Sequence, residues 1–389
     1  MKKQLLIISF LSSLLCNAQT LSFQNLADMS YARGAIASAI VNDNIYVSNG
    51  YTTNGDSNII EKYNITNNTW NILNTTLAAK RFASSEMYNN KIYVFNGWGN
   101  SGLEIVDLTT NTVTNGAVNP FYTGNAGSAI YSGKIYTFGG SGLNGSSTYS
   151  YSSKFQYYDI ASNTWNSLPD MPVAKETKGK IVDNKLYVIG GFNGTNSNLI
   201  NVYDFTLNAW TDQYTMPVGV SGHSVAVSNN KIFIVGDYDN QTFLAYFDTT
   251  TNQLHQLSSN MIGRRHSAAQ VYNNKLYIMG GNTTAFINSS IASAQVADIS
   301  EGILSANEDA AYVFQIKAYP NPFRDHLVIS NKKDDAFDYI IFSTEGKQIS
   351  KGSSNFNKNI DLSNLEKGVY IFSFKNDKGI LQQIKIIKN

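Results

Sequence analysis

The stretch that decides the fold runs Asn184-Lys-Leu-Tyr-Val-Ile-Gly-Gly191, then a polar loop, Ile200-Asn-Val-Tyr-Asp204 and, six residues on, Trp210. A strand of alternating large residues ends in a Gly pair. A second short strand ends in Tyr-Asp, and a turn leads to a Trp that opens a third strand. The rest of the chain repeats this unit. A polar turn before a Tyr- or Phe-centred strand recurs at Asp43–Tyr46, Asn90–Tyr93, Gly133–Tyr136, Asn184–Tyr187, Asn230–Phe233 and Asn274–Tyr277, and successive anchors lie 47, 43, 51, 46 and 44 residues apart. A period in the forties with several strands per unit predicts β-propeller blades rather than a helical solenoid. Six periods predict six blades.

Composition agrees with many short strands and Gly/Asn turns: 29 Gly, 24 Tyr and 20 Phe, but 6 Pro, among 389 residues. The formal net charge of +1 supplies no overall positive field for nucleic acid. Lys2 and Lys3, an apolar run from Leu5 to Leu15 and Cys16-Asn-Ala18 read as a secretory signal over residues 1–18. A lipid anchor on Cys16 is the alternative, disfavoured by Leu15 before it. The apolar run is shorter than a spanning helix requires, and no later stretch resembles a transmembrane segment. With Cys16 in the leader, the exported chain has no thiol chemistry, and no cofactor or metal is expected.

The repeat resembles the kelch family: a Gly pair after an apolar strand, a Tyr-Asp pair and a Trp about six residues later. Blades 3 (Gly139-Gly140, Tyr158-Asp159, Trp165) and 4 carry the whole pattern, and the others are degenerate, with Val113 and Leu254 in the Trp column. The Asp or Asn column (Asn64, Asp107, Asp159, Asp204, Asp248, Asp298) reads as turn-forming acceptors and the Trp column as packing between blades. The sixth repeat lacks a strand after Asp298, and residues 21–26 at the other end supply one, so the ring is expected to close with an N-terminal strand over residues 19–300.

Residues 301–312 read as a linker. From Val313 the composition shifts, and Tyr319-Pro-Asn-Pro322, Glu345-Gly-Lys347, Leu365-Glu-Lys-Gly-Val-Tyr370 and a basic tail resemble the C-terminal sorting domain of the Bacteroidetes type IX secretion system. A small β-sandwich over 313–389 is expected. The resemblance implies export to the cell surface or medium and a partner in the secretion machinery. The fold class is therefore all-β, a six-bladed kelch-type propeller followed by a small C-terminal sandwich.

The variable loops 51–58, 98–101, 141–153, 192–198 and 237–241 share one face, where a rigid scaffold usually places binding. The expected function is a binding module for a carbohydrate or an extracellular protein, with Trp98, Tyr51, Phe192 and Tyr238 as exposed stacking rings and Trp98 foremost. Arg33, Arg81, Lys175 and Arg264-Arg265 fall at nearly one register and suggest a cation ring at the channel mouth, with His223 and His266 slightly deeper. The alternative for these cations is structural, holding blades together. Glu86 and Lys180 occupy matching innermost positions and are either a structural pair or channel-lining site residues. Among kelch-type enzymes, copper oxidase chemistry requires a Cys that is absent. A mutarotase or lyase acting on an acidic sugar in the channel is the rival reading, resting on Arg81, Glu86, Lys180, Arg265 and His266. No nucleophile elbow, phosphate loop or metal-ligand spacing is present.

Overall fold

A computed structural model describes residues 21–100, 102–142, 149–284, 287–301, 304, 308–312, 318–330, 336–344, 347–375 and 381–389. The proposed signal at 1–18 and its Cys16 lie outside these residues. The chain divides into two compact units, residues 1–312 and 313–389.

The first unit contains, among the described residues, six antiparallel sheets of four or more strands. The second sheet shows the plan: Ser84–Tyr88 innermost, then Lys91–Phe95, Glu104–Asp107 and Thr112–Asn115. The innermost strands Ala37–Val41, Ser84–Tyr88, Gly127–Tyr131, Glu176–Val182, Ser224–Ser228 and Ala268–Tyr272 neighbour one another in cyclic order, so the sheets form a closed ring. The closure is the one read from the sequence. Phe23–Asn25 pairs antiparallel with Ala294–Asp298, Phe23 opposite Ala297, as the outer strand of the sixth sheet. Phe23 is buried, and Asn260 clamps its backbone, the side-chain carbonyl accepting from its N–H at 2.6 Å and the amide donating to its carbonyl at 3.2 Å.

The two repeated columns have structural roles. Asp107, Asp159, Asp204 and Asp248 each receive backbone N–H groups two and three residues on, as Asp107 does from Thr109 and Thr110 and Asp159 from Ala161 and Ser162, and Asp298 receives that of Ser300. These bonds hold the Asp107 and Asp159 carboxyls below the usual range, since the ionised form accepts them better. Each Trp reaches back to the exit segment of the preceding sheet: Trp70 Nε1 donates to the Ala27 carbonyl, Trp165 to Ala117 and Trp210 to Pro169, at 2.8, 2.8 and 3.0 Å. The indoles thus staple sheet to sheet.

The stretch read as a linker is not wholly irregular. Glu308–Tyr312 adds a fifth strand to the fifth sheet, beside Gln253–Leu257. That sheet has Leu254 in place of a Trp, and its outer strand is more buried than Thr69–Ile72 or Thr112–Asn115.

The second unit has a three-stranded sheet (Ala318–Tyr319, His326–Ile329, Asn359–Asp361) and a four-stranded one (Gln348–Asn355, Ala336–Ser343, Gly368–Lys375, Leu381–Lys388). Leu327 and Ile329 of the first share one core with Phe337, Ile341 and Phe372 of the second. The Tyr-Pro-Asn-Pro motif clamps the last strand: Asn321 donates to the Lys385 carbonyl and accepts from the Ile387 N–H, both at 2.9 Å. Of the Glu345-Gly-Lys347 turn, 345 and 346 lie outside the described residues.

Candidate functional site

The segments crossing from sheet to sheet each place three consecutive residues at the top of the ring, and the three face different surroundings. Arg33, Lys80, Thr123, Lys175, Val220 and Arg264 form the first column and point into the sheets. Arg33 meets Glu61 at 2.5 Å and donates to the Asn49 and Ile59 carbonyls. Lys80 meets Glu104 at 3.0 Å. Among the described residues Lys175 has only neutral acceptors, Asn201 Oδ1 at 3.2 Å and Ser197 Oγ at 3.4 Å, and burial lowers its ammonium to about 8. Arg264 bonds the Gly280 and Ser293 carbonyls and Gln295, and burial lowers it to about 10.

The cation ring expected at the mouth therefore does not form. Arg33, Lys175 and Arg264 are fully buried staples, and the mouth takes the next residue of each crossing: Gly34, Arg81, Gly124, Glu176, Ser221 and Arg265. A one-residue offset turns a side chain from interior to rim.

The third column leads into the innermost strands. Ala35, Phe82, Asn125 and His266 adopt left-handed backbone, with φ between 50° and 55°. Their N–H groups pass hydrogen bonds around the ring: Ala35 to the His266 carbonyl, Phe82 to Ala35, Asn125 to Phe82, Thr177 to Asn125 and His266 to Gly222. The unusual φ is sustained by this circuit. Phe82 and His266 meet edge to face at 5.0 Å. Below them lies a cavity of about 90 Å³, lined by Glu86, Lys178, Lys180, Gln270 and serines. Glu86 accepts from Ser128 Oγ at 2.6 Å, and Gln270 donates to Ser38 Oγ at 2.9 Å.

Around Phe82 and His266 stand the first residues of the variable loops. Tyr51 is buried, not an exposed stacking ring; burial raises its hydroxyl, which Arg265 and Arg81 oppose. Trp98 is half-buried. It lies over Gly124, where a Cβ would sit 2.2 Å from its Nε1; that nitrogen donates to the Ser141 carbonyl at 3.0 Å, and Phe82 packs edge-on against the ring. The expectation of a free Trp98 ring fails because the next repeat has a glycine beneath it. Phe192 is half-buried against Tyr151. Tyr238 alone of the four is exposed, at 43%.

Arg81 is paired with Asp56 at 3.0 Å. Glu176 accepts from Ser141 and from Tyr149 at 2.8 Å on one oxygen and from Asn125 at 2.8 Å on the other. Burial pushes the Tyr149 hydroxyl well up. Arg265 is 3% exposed, stacks its guanidinium 3.8 Å over the Tyr238 ring and has no ion pair or side-chain hydrogen bond among the described residues. His223 is buried; its contact with the Ile189 backbone falls outside hydrogen-bond geometry, leaving both ring nitrogens without partners. Burial lowers His223 and His266 to about 3, Lys178 and Lys175 adding to the first and Arg265, Lys178 and His223 to the second. Both imidazoles are neutral at physiological pH.

A family model described as the KLHDC2/KLHL20/DRC7 Kelch-repeats domain matches residues 35–237 and 126–300. The chain belongs to the kelch-repeat family. A second model, the Secretion system C-terminal sorting domain, matches residues 317–389, so this kelch protein is exported by the type IX system to the cell surface or extracellular space. It is similar to Kelch-like protein terF of Aspergillus terreus (29% identity over 296 residues, 67% of this chain and 64% of that protein). Kelch-like protein 38 of Danio rerio is 38% identical over 109 residues, 28% of this chain and 18% of that protein. The chain spans less than two thirds of the length of either relative. The solved structure of YjhT superimposes with a TM-score of 0.58 at 18% identity, covering 70% of this chain and 96% of that one, a likeness of fold.

In this kelch ring the residues missed from sequence are Phe82, Tyr149, Tyr151, Glu176 and Lys178. Glu176 was legible in principle: it is the residue after a buried Lys, as Arg81 follows Lys80 and Arg265 follows Arg264.

Proposed function

We propose that the chain is an exported six-bladed kelch propeller, closed by its N-terminal strand and followed by a β-sandwich sorting module, and that it binds a protein segment on the loop face at the channel mouth. The observation that carries this reading is the composition of the mouth: Tyr238, Tyr149, Tyr151, Trp98 and Phe192 surround Arg265 and Glu176 on a rigid backbone circuit. Aromatic and Arg side chains are the residues that anchor protein partners. A protein segment is favoured over a glycan because the rings pack edge to face on one another, Trp98 on Phe82 and Tyr149, and Tyr149 on Tyr151. Such packing leaves no broad pair of ring faces between which a sugar would stack. Turnover of a sugar inside the channel is not favoured either, since a cavity of about 90 Å³ holds only a few waters.

The test is a display selection of peptides and a parallel glycan array on the full chain, each repeated with Tyr238→Ala and Trp98→Ala. Peptide binding lost with Tyr238→Ala supports the proposal. Glycan binding with no peptide binding would overturn it.

A further inference from the structure

The innermost strands set one residue each opposite the Tyr or Phe anchors: Ala39, Glu86, Ala129, Lys180, Ala226 and Gln270. The long polar side chains of this column stand on alternate sheets around the channel, with alanines between them. Glu86 and Gln270 each reach to the next sheet, where Ser128 Oγ donates to the first at 2.6 Å and Ser38 Oγ accepts from the second at 2.9 Å. At the same place the sheet beyond Lys180 has Val225, whose side chain accepts nothing. Among the described residues Lys180 has no hydrogen bond or ion pair, so it is not a structural partner of Glu86. Two residues before it, on the same face of the strand, Lys178 donates to the Ala126 carbonyl at 3.0 Å. Burial lowers the Lys178 ammonium to about 8, with Glu176 opposing and Lys180 adding to the shift. The Ser85 hydroxyl is buried without a partner among the described residues. Lys178, Lys180, Glu86 and Ser85 all line the cavity of about 90 Å³.

We infer that this cavity binds one small monovalent anion, a halide or a planar oxyanion such as formate or nitrate, held by the Lys178 and Lys180 ammoniums and the Ser85 hydroxyl. The charges inside decide the sign and the valence. Two ammoniums against the Glu86 carboxylate leave an excess of one positive charge in a space withdrawn from bulk water, and one negative charge cancels it. His223 and His266 are neutral and leave that count unchanged. A divalent sulfate or phosphate overshoots the balance and is repelled by Glu86. The unused hydrogen-bonding capacity is of the matching kind: the Lys180 N–H groups and the Ser85 O–H are donors, and an anion supplies acceptors. Size agrees, because about 90 Å³ takes a few heavy atoms and excludes a sugar ring. Ser38, Ser128, Lys180 and Gln270 are half-buried, so solvent and small ions reach them. The site is separate from the loop face and stands whether or not that face binds a protein.

The test uses the full chain at constant sodium and ionic strength, with sodium gluconate, whose anion is too large for the cavity, replaced stepwise by chloride, formate or nitrate. The ³⁵Cl linewidth reports bound chloride in exchange with the bulk, and thermal unfolding midpoints report binding to the folded state. The expected result is a midpoint that rises to saturation with at least one small anion, together with ³⁵Cl broadening that the tighter anion displaces. The order of displacement identifies the preferred anion. Lys180→Gln removes the excess charge and weakens binding at least about tenfold, whereas Glu86→Gln raises the excess to two and tightens it by about the same factor. The two variants act in opposite directions, so either one alone keeps the test readable should the other fail to fold. Equal midpoints in gluconate and in the small anions, no saturation with any of the three, or tighter binding of sulfate would overturn the inference. Saturable binding that neither variant changes would overturn it as well.

Discussion

Replacing Lys175 by Met is expected to stabilise the protein, whereas the same change at the equivalent Arg33 should damage it severely. Lys175 is fully buried beside two neutral acceptors, and its ammonium is lowered from 10.5 to about 8 by burial. That shift corresponds to about 3 kcal/mol against the folded state at neutral pH. Because the native pKa is the lower one, the unfolded chain holds the proton more tightly. Wild-type stability from this group is thus lowest below pH 8 and rises toward pH 10.5. Met fills similar space without charge but loses two hydrogen bonds of about 1 kcal/mol each, while Asn201 keeps its bond to Gln213. The net gain is about 1 kcal/mol, or about 2 °C in Tm. The fifth sheet is a natural precedent: Val220 stands in the same column, and Ala245 stands opposite where the others have Glu61, Glu104, Gln156, Asn201 or Gln295. Arg33→Met instead strands Glu61, a carboxylate with no exposed surface, and should cost about 3–5 kcal/mol. All four Trp residues lie in the first unit, so denaturation followed by Trp fluorescence reports on the ring alone. Lys175→Met as harmful as Arg33→Met would refute the reasoning.

Phe23→Ala should open the ring closure at a cost of about 3–5 kcal/mol, read as a lower denaturant midpoint and faster proteolysis near Asn260. Gly124→Ala puts a methyl where Trp98 lies; a loss of about 1–3 kcal/mol with a shifted Trp emission is expected, and an unchanged spectrum would count against the packing described. Since His223 and His266 are lowered from 6.5 to about 3, they are neutral in the fold, and their contribution is complete above pH 6.5 and lost as pH falls toward 3; His223→Leu should flatten that decline in a pH series of unfolding midpoints. Asn321→Ala removes both bonds to the last strand and should destabilise the second unit by about 2 kcal/mol, followed by amide exchange of Ile387.

The strand pattern was legible because Tyr-centred alternation and turn residues are local signals, as at Asn184 to Gly191. The N-terminal closure was legible from a strand missing after Asp298. The mouth was less so. Arg33 and Arg81 look equivalent when counted from the next Tyr, yet they differ by one residue in register, and only the partners Glu61 and Asp56 tell interior from rim. Trp98 looked free because nothing near it in sequence covers it; Gly124, in the next repeat, provides its seat. Glu308–Tyr312 was missed because its pairing with Gln253–Leu257 is non-local and its composition is that of a linker.

Hydrogen–deuterium exchange on the full chain, with and without a display-selected peptide, tests loop-face binding most directly. Protection is predicted at 81–82, 98, 176, 192, 238 and 265–266, with none at the turns around Asn42, Asn89 and Asn229. Protection confined to those turns, with the mouth unchanged, would contradict the account.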